Sequence, residues 1–355
     1  MDTAQRIVEA IKGARANGQR LVPRGQGSKR RWLAEASGEF LETLEHTGIV
    51  AYDPAELVVT ARAGTPLREL TAELAHAGQA LAFEPPQFFA SGTVGGMVSA
   101  GLSGPSRPWC GSTRDAVLGV EIVNGLGEQL TFGGQVMKNV AGYDVSRLMT
   151  GACGALGVVL QASLRVQPVR EHAVTLRFEL DAQRANDKCR QLAGTYLPLT
   201  GTWWAEGCLY LRLAGTEAGV LSACRSLGGE RMAPGRMWED IRDHAAAFFK
   251  AESRQLDGAT HQRLWRVIVP PAAPLSELPE ADLAVEWGGG QRWLWHSDED
   301  HVMSYARAHQ GWAQALGEGC ALDAAQHRYM SAIKRAFDPD AVFASPLALE
   351  VVDAH

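Results

Sequence analysis

The chain has 355 residues and a formal net charge of -6. That length suits about two domains, and the acidic balance with no basic tract argues against a nucleic-acid partner. No apolar run approaches the roughly 18 residues of a bilayer span, and the N-terminal MDTAQRIVEAIKGAR lacks the apolar core of a secretory signal, so the default compartment is the cytoplasm. The six cysteines, Cys110, Cys153, Cys189, Cys208, Cys224 and Cys320, form no C-x-x-C pair, and no H-E-x-x-H occurs. No metal of its own is expected.

In chain order, the first predicted element is a helix. Asp2 reads as its N-cap with Gln5 as the N3 partner, Ile7, Ile11 and Ala14 mark an apolar face, and Gly18 closes it. Leu21-Val22 reads as a short strand, and residues 57–61 as a second. Thr65-Pro66 opens another helix, with a hydroxyl cap and proline in the first turn, ending at Gly78. Residues 81–83 read as a short strand and 94–100 as a helix. Residues 117–124 and 128–132 form a hairpin around Gly125-Leu126-Gly127. Residues 156–166 alternate between apolar and polar, which predicts a half-buried strand.

After Pro168 glycine thins out and tryptophan becomes frequent. Strand-like pieces at 174–180, 208–213, 265–269, 284–287 and 292–296 are interleaved with helical stretches at 181–193, 216–226 and 301–316. The chain therefore divides into residues 1–170 and an α+β domain at 171–355.

Three glycine-rich segments carry the chemistry. Pro23-Arg24-Gly25-Gln26-Gly27-Ser28-Lys29 follows a strand, and a turn of this composition aims backbone N–H groups at one anion, with Arg24 adding charge. An ordinary basic surface turn has the same composition. Ser91-Gly92-Thr93-Val94-Gly95-Gly96 enters a helix, where amides and hydroxyls meet a second phosphate, or where glycine merely permits close packing. The third is Gly151 to Val159, preceded by Lys138-Asn139-Val140-Ala141-Gly142-Tyr143-Asp144, in which the backbone edge at Gly157-Val158 is suited to pair with a flat heterocycle. No third glycine completes a Rossmann fingerprint, and no G-x-x-x-x-G-K-[ST] is present.

Taken jointly, PRGQGS, SGTVGG, GSTRDAVLGVEIVNGLGE and KNVAGYDVSRLMTGACGALGVV resemble the FAD-binding domain of the vanillyl-alcohol oxidase / p-cresol methylhydroxylase superfamily over roughly residues 1–170. The resemblance implies an α+β fold, a two-subdomain FAD-binding domain followed by an α+β cap. It implies FAD, with its pyrophosphate between Arg24–Ser28 and Ser91–Gly96. Gly101, Gly104, Gly111, Ser112 and Asp115 would lie along the flavin side, and Gly157-Val158 beside backbone-contacting groups of the cofactor. With LWRVIVPP and EWGGGQRWLW added, both halves resemble the FAD-binding subunits of bacterial glycolate oxidases. That family implies a complex with a homologous catalytic flavin subunit and an iron–sulfur subunit, oxidising glycolate to glyoxylate in the cytoplasm or peripheral to the inner membrane through other subunits.

Two departures from the superfamily bear on chemistry. Cys110 stands where a thiol leaves a covalent flavin link open. The H-x-G-D-G-N-type motif that supplies a base near the substrate is absent, and the corresponding region reads WGGGQRWLWH. The remaining candidates are His296 as a base, and Arg266 and Arg292 as a clamp for a substrate carboxylate or a flavin edge, or as internal ion pairs. An accessory subunit is expected, and a self-sufficient FAD-dependent 2-hydroxy-acid dehydrogenase is the alternative.

Overall fold

The computed structural model describes residues 2–32, 34–134, 144–250, 262–278, 281–318 and 323–344. Two compact units emerge. The first comprises Met1–Ser103, Gly111–Val169 and Gly317–His355, and the second Gly104–Cys110 and Arg170–Leu316. The division is thus not into two consecutive segments at residue 170. A C-terminal piece returns to the first unit, and a short excursion at 104–110 joins the second.

The first unit is built on a five-stranded antiparallel sheet in the order Ile49–Asp53, Val58–Arg62, Val158–Arg165, Val117–Val123, Gln129–Gly133. The predicted hairpin forms because Asn124 Oδ1 accepts from the Leu126 and Glu128 amides (3.0 and 2.9 Å), while Gly127 takes φ 75°. Val158–Arg165 is central. It is not half-buried as its alternation suggested but covered on both sides. Ile7, Val8, Ile11 and Ala14 of the helix Thr3–Ala16 share a core with Val158 and Leu160, while Leu67, Leu70 and Met97 share another with Val159, Ala162 and Leu164. The polar residue this buries, Ser163, is satisfied by Thr60 (Oγ–Oγ1 2.8 Å).

Local capping differs from expectation at two helices. Asp2 makes no side-chain cap bond, and Gln5 instead donates to Glu9. Helix Leu67–His76 starts after Pro66, and the Thr65 hydroxyl accepts from the Gly48 amide rather than capping. The strand expected at 81–83 is the pair Gln79–Ala80 with Gln167–Pro168, followed by a turn that buries Leu81 and Phe83. Leu21–Arg24 pairs in parallel with Glu39–Glu42.

The second unit is an eight-stranded antiparallel sheet in the order Glu230–Arg231, His172–Glu179, Cys208–Gly215, Leu199–Ala205, Asp282–Glu286, Gln291–His296, Arg263–Ile268, Trp312–Ala315. Helices Ala182–Ala193, Glu217–Leu227 and Glu299–Ala308 accompany it. The helix expected over 301–316 stops at Ala308. At Gly311 the chain passes so close to the neighbouring strand that a Cβ would lie 2.1 Å from the Ile268 carbonyl, and Trp312–Ala315 then forms an edge strand.

Candidate functional site

A cavity of about 520 Å3 opens in the first unit. Its volume is in the range of small-molecule sites. The segment Pro23–Ser28 forms one wall together with Lys29 and Arg30. Thr93, Gly95 and Gly96 form a second, and Gly154, Gly157 and Val158 a third. The sequence therefore pointed to three separate loops that the fold brings together.

The loops interlock through glycine. A Cβ at Gly25 would sit 2.4 Å from Thr93 Oγ1, and one at Gly95 would sit 2.7 Å from the Ala63 Cβ. Thr93 Oγ1 also accepts from the Gly96 amide at 3.2 Å, which caps helix Val94–Ala100. Gln26 Oε1 accepts from the Gly92 amide at 2.6 Å, bridging the first loop to the second. Gly27, at φ 68°, turns the first loop back on itself.

Charge in the cavity differs from expectation. The Arg24 guanidinium lies on Glu42 (2.6 Å) and over the Phe40 ring (3.9 Å), so its charge is offset locally. Lys29, the last residue of the first glycine-rich segment, is buried and lines the same wall. Cys153, within the third segment, contributes a thiol in a left-handed backbone conformation, and burial pushes its pKa up to about 12, leaving it neutral. Backbone amides in a glycine turn, hydroxyls at Ser28 and Thr93 and one buried ammonium are donors suited to a diphosphate, and Val22, Val158 and Val159 add apolar surface beside them.

Other expected residues lie apart from this cavity. Ser91 donates to the Phe88 carbonyl, and Gly92 and Val94 support the second loop without lining the cavity. Gly101 is the left-handed C-cap of helix Val94–Ala100. Gly104 belongs to the second unit, where its carbonyl accepts from Trp287 Nε1 at 3.1 Å. The Asp115 carboxylate closes a capping box with Ser112, accepting from its amide (2.8 Å) and hydroxyl (2.7 Å), beside Gly111 at φ 87°. Val158, by contrast, lines the cavity, pairing with Val123 on one side and lying beyond the end of the strand Val58–Arg62, whose last partner is Gln161, on the other. Cys110 lies in the second unit, where its sulfur accepts from Arg170 at 3.4 Å. The segment 138–143 lies outside the described residues, and Asp144 caps helix Val145–Met149.

In the second unit the three substrate candidates do not converge. Arg266 is paired with Trp293, and Arg292 with Val267, so the arginines project from opposite faces of the sheet. Arg266 donates to Gln291 Oε1 (2.6 Å) and stacks among Trp287, Trp293 and Trp312. Burial pushes its pKa down to about 10, against the pull of Glu286. Arg292 is fully buried and donates to the Gly289 and Ala273 carbonyls and to the Tyr305 hydroxyl. Among the described residues it is paired with no carboxylate. The His296 Nδ1 accepts from the Asp298 amide at 3.0 Å, in the turn entering helix Glu299–Ala308. His296→Ala is accordingly expected to change stability by no more than about 0.5 kcal/mol and to leave substrate turnover unchanged, as urea unfolding and dye reduction will check.

Among the described residues no three His, Cys, Asp or Glu side chains are grouped to hold a metal. Nor, among them, is any helix long and apolar enough to cross a membrane.

A family model described as FAD binding domain matches residues 1–133. The glycolate oxidase subunit GlcE of Escherichia coli (strain K12) is 41% identical over 347 residues, which covers 96% of each chain. The glycolate oxidase subunit GlcD of Bacillus subtilis (strain 168) is 31% identical over 159 residues, 44% of this chain and 33% of its own. Among solved structures, an alkyldihydroxyacetonephosphate synthase superposes with a TM-score of 0.69 over 97% of this chain and 75% of its own, at 14% identity, a likeness of fold alone.

Proposed function

The chain belongs to the family of the glycolate oxidase subunit GlcE and carries an FAD-binding domain, and from that premise we propose that it is the accessory FAD-carrying subunit of a complex oxidising glycolate to glyoxylate. In this reading the diphosphate of FAD lies between Arg24–Ser28 and Thr93–Gly96, with Lys29 supplying the charge that Arg24 shares with Glu42. Gly157-Val158 walls the cofactor from the other side. Bound FAD supplies a two-electron acceptor.

The observation that carries the accessory role is the commitment of Arg292 and His296 to structure. Oxidation of a 2-hydroxy acid requires a base near the substrate and a group to orient its carboxylate. Here Arg292 is bonded to two backbone carbonyls and a tyrosine, and His296 is held through Nδ1 by a turn amide. The base then comes from a partner. We assign that role to a homologous catalytic flavin subunit, with an iron–sulfur subunit carrying electrons onward. Membrane attachment, where it occurs, is through these partners.

The test is glycolate-dependent dye reduction by the FAD-replete chain, alone and with its partner subunits. Turnover is expected only in the assembled complex. Turnover by the isolated chain would establish instead a self-sufficient 2-hydroxy-acid dehydrogenase.

A further inference from the structure

The C-terminal helix Ala324–Phe337 and the turn after it contain a buried ion pair that no step of the proposed function uses. Lys334 is 2% exposed and Asp338 is fully buried. Lys334 Nζ donates to Asp338 Oδ2, to the Phe343 carbonyl at 2.8 Å and to the Ala155 carbonyl at 2.8 Å. Asp338 in turn accepts from the Val342 and Phe343 amides at 2.9 and 2.8 Å. A buried pair of this kind is weak evidence of added stability, because desolvation offsets the attraction. Burial indeed holds the Lys334 pKa below its ordinary value despite Asp338. What the pair does provide is directional bonding to two separate places.

One of these places is Ala155, which lies between Gly154 and Gly157 of the third cavity wall. The other is reached through residues 342–344. The Leu21 amide donates to the Val342 carbonyl at 2.7 Å, and the Ala344 amide donates to the Leu21 carbonyl at 2.9 Å. The strand Leu21–Arg24 then runs directly into the glycine turn of the first wall. A single ammonium thus ties the two walls to one C-terminal segment, although neither Lys334 nor Asp338 lines the cavity.

We infer that Lys334 and Asp338 are positioning residues for FAD: they fix the separation of the two walls, so that a C-terminal segment remote from the cofactor sets its affinity. This inference rests on the placement of FAD in the cavity. Since coupling between sites is reciprocal, FAD must also stabilise the C-terminal turn.

Two measurements test it. Lys334→Met with Asp338→Asn removes both charges together, which leaves no unpaired ion to unfold the chain. The double variant is expected to weaken FAD binding, read by quenching of flavin fluorescence, by about tenfold or more. Leu74→Ala, in the same unit but not lining the cavity, is expected to leave it within about twofold under folding conditions. On the unmodified apo chain, adding FAD is expected to slow amide exchange at Phe343 and Ala344 by a larger factor than in helix Leu67–His76. Unchanged affinity in the double variant, or exchange slowed no more at the C-terminal turn than in that helix, would overturn the inference. Gly25→Trp separates the two readings. If it binds FAD normally, the cavity assignment itself fails and the inference with it. If it loses FAD while the double variant does not, only the positioning role fails.

Discussion

Gly25→Trp is expected to give a colourless protein whose second unit is still folded. Gly25 lies where the first loop meets the second, and even a Cβ there would fall 2.4 Å from Thr93 Oγ1. Moving Thr93 away breaks its bond to the Gly96 amide and uncaps helix Val94–Ala100. Overpacking of this kind costs about 1–3 kcal/mol for added methylenes, and an indole adds far more volume. Gly25 also lines the cavity assigned to the diphosphate. The expected loss in FAD affinity is about a hundredfold or more, read as flavin absorbance remaining after desalting. Gly13→Trp is the control, because nothing lies within 4 Å of its Cβ on the exposed face of helix Thr3–Ala16. It should stay yellow. Normal flavin content in Gly25→Trp would remove these loops from the cofactor site.

The difference between what the sequence disclosed and what it concealed follows from how local each constraint is. The Gly25–Ser28 turn and the entry to helix Val94–Ala100 were legible because positive φ and close approach select glycine at particular positions. The hairpin at 117–133 and the apolar face of the first helix were legible for the same reason, since period and turn chemistry are written in adjacent residues. The strand Leu199–Ala205 was missed. It lies inside an eight-stranded sheet and is buried at nearly every position, so it shows no alternation. What Gly104 and Asp115 bond to was not legible in composition. Trp287, 183 residues away, bonds the Gly104 carbonyl, and Asp115 is engaged by its own neighbour Ser112. Nor was the return of residues 324–344 to the first unit legible. An amphipathic helix records that one face is buried but not what buries it, and the bond from Lys334 to Ala155 spans 179 positions.

Arg292→Met is expected to separate structure from chemistry in the second unit. The guanidinium is fully buried among three acceptors, the carbonyls of Gly289 and Ala273 and the hydroxyl of Tyr305, which itself donates to the Pro274 carbonyl. It therefore stitches the strand Gln291–His296 to the 270–274 loop and to helix Glu299–Ala308. Methionine fills most of the volume and makes none of these bonds. Each buried acceptor left unsatisfied costs about 1–3 kcal/mol, and relief of the desolvated cation offsets part of this, so a net loss of about 2–4 kcal/mol is expected. Nine of the ten tryptophans belong to the second unit, with Trp32 alone in the first, so denaturant unfolding followed by tryptophan fluorescence reports this unit. FAD affinity should be unchanged, because every residue lining the cavity belongs to the other unit. A large fall in glycolate turnover by the assembled complex, with stability intact, would instead make Arg292 a substrate-contacting group. The accessory role proposed for this chain would then lose the observation that carries it.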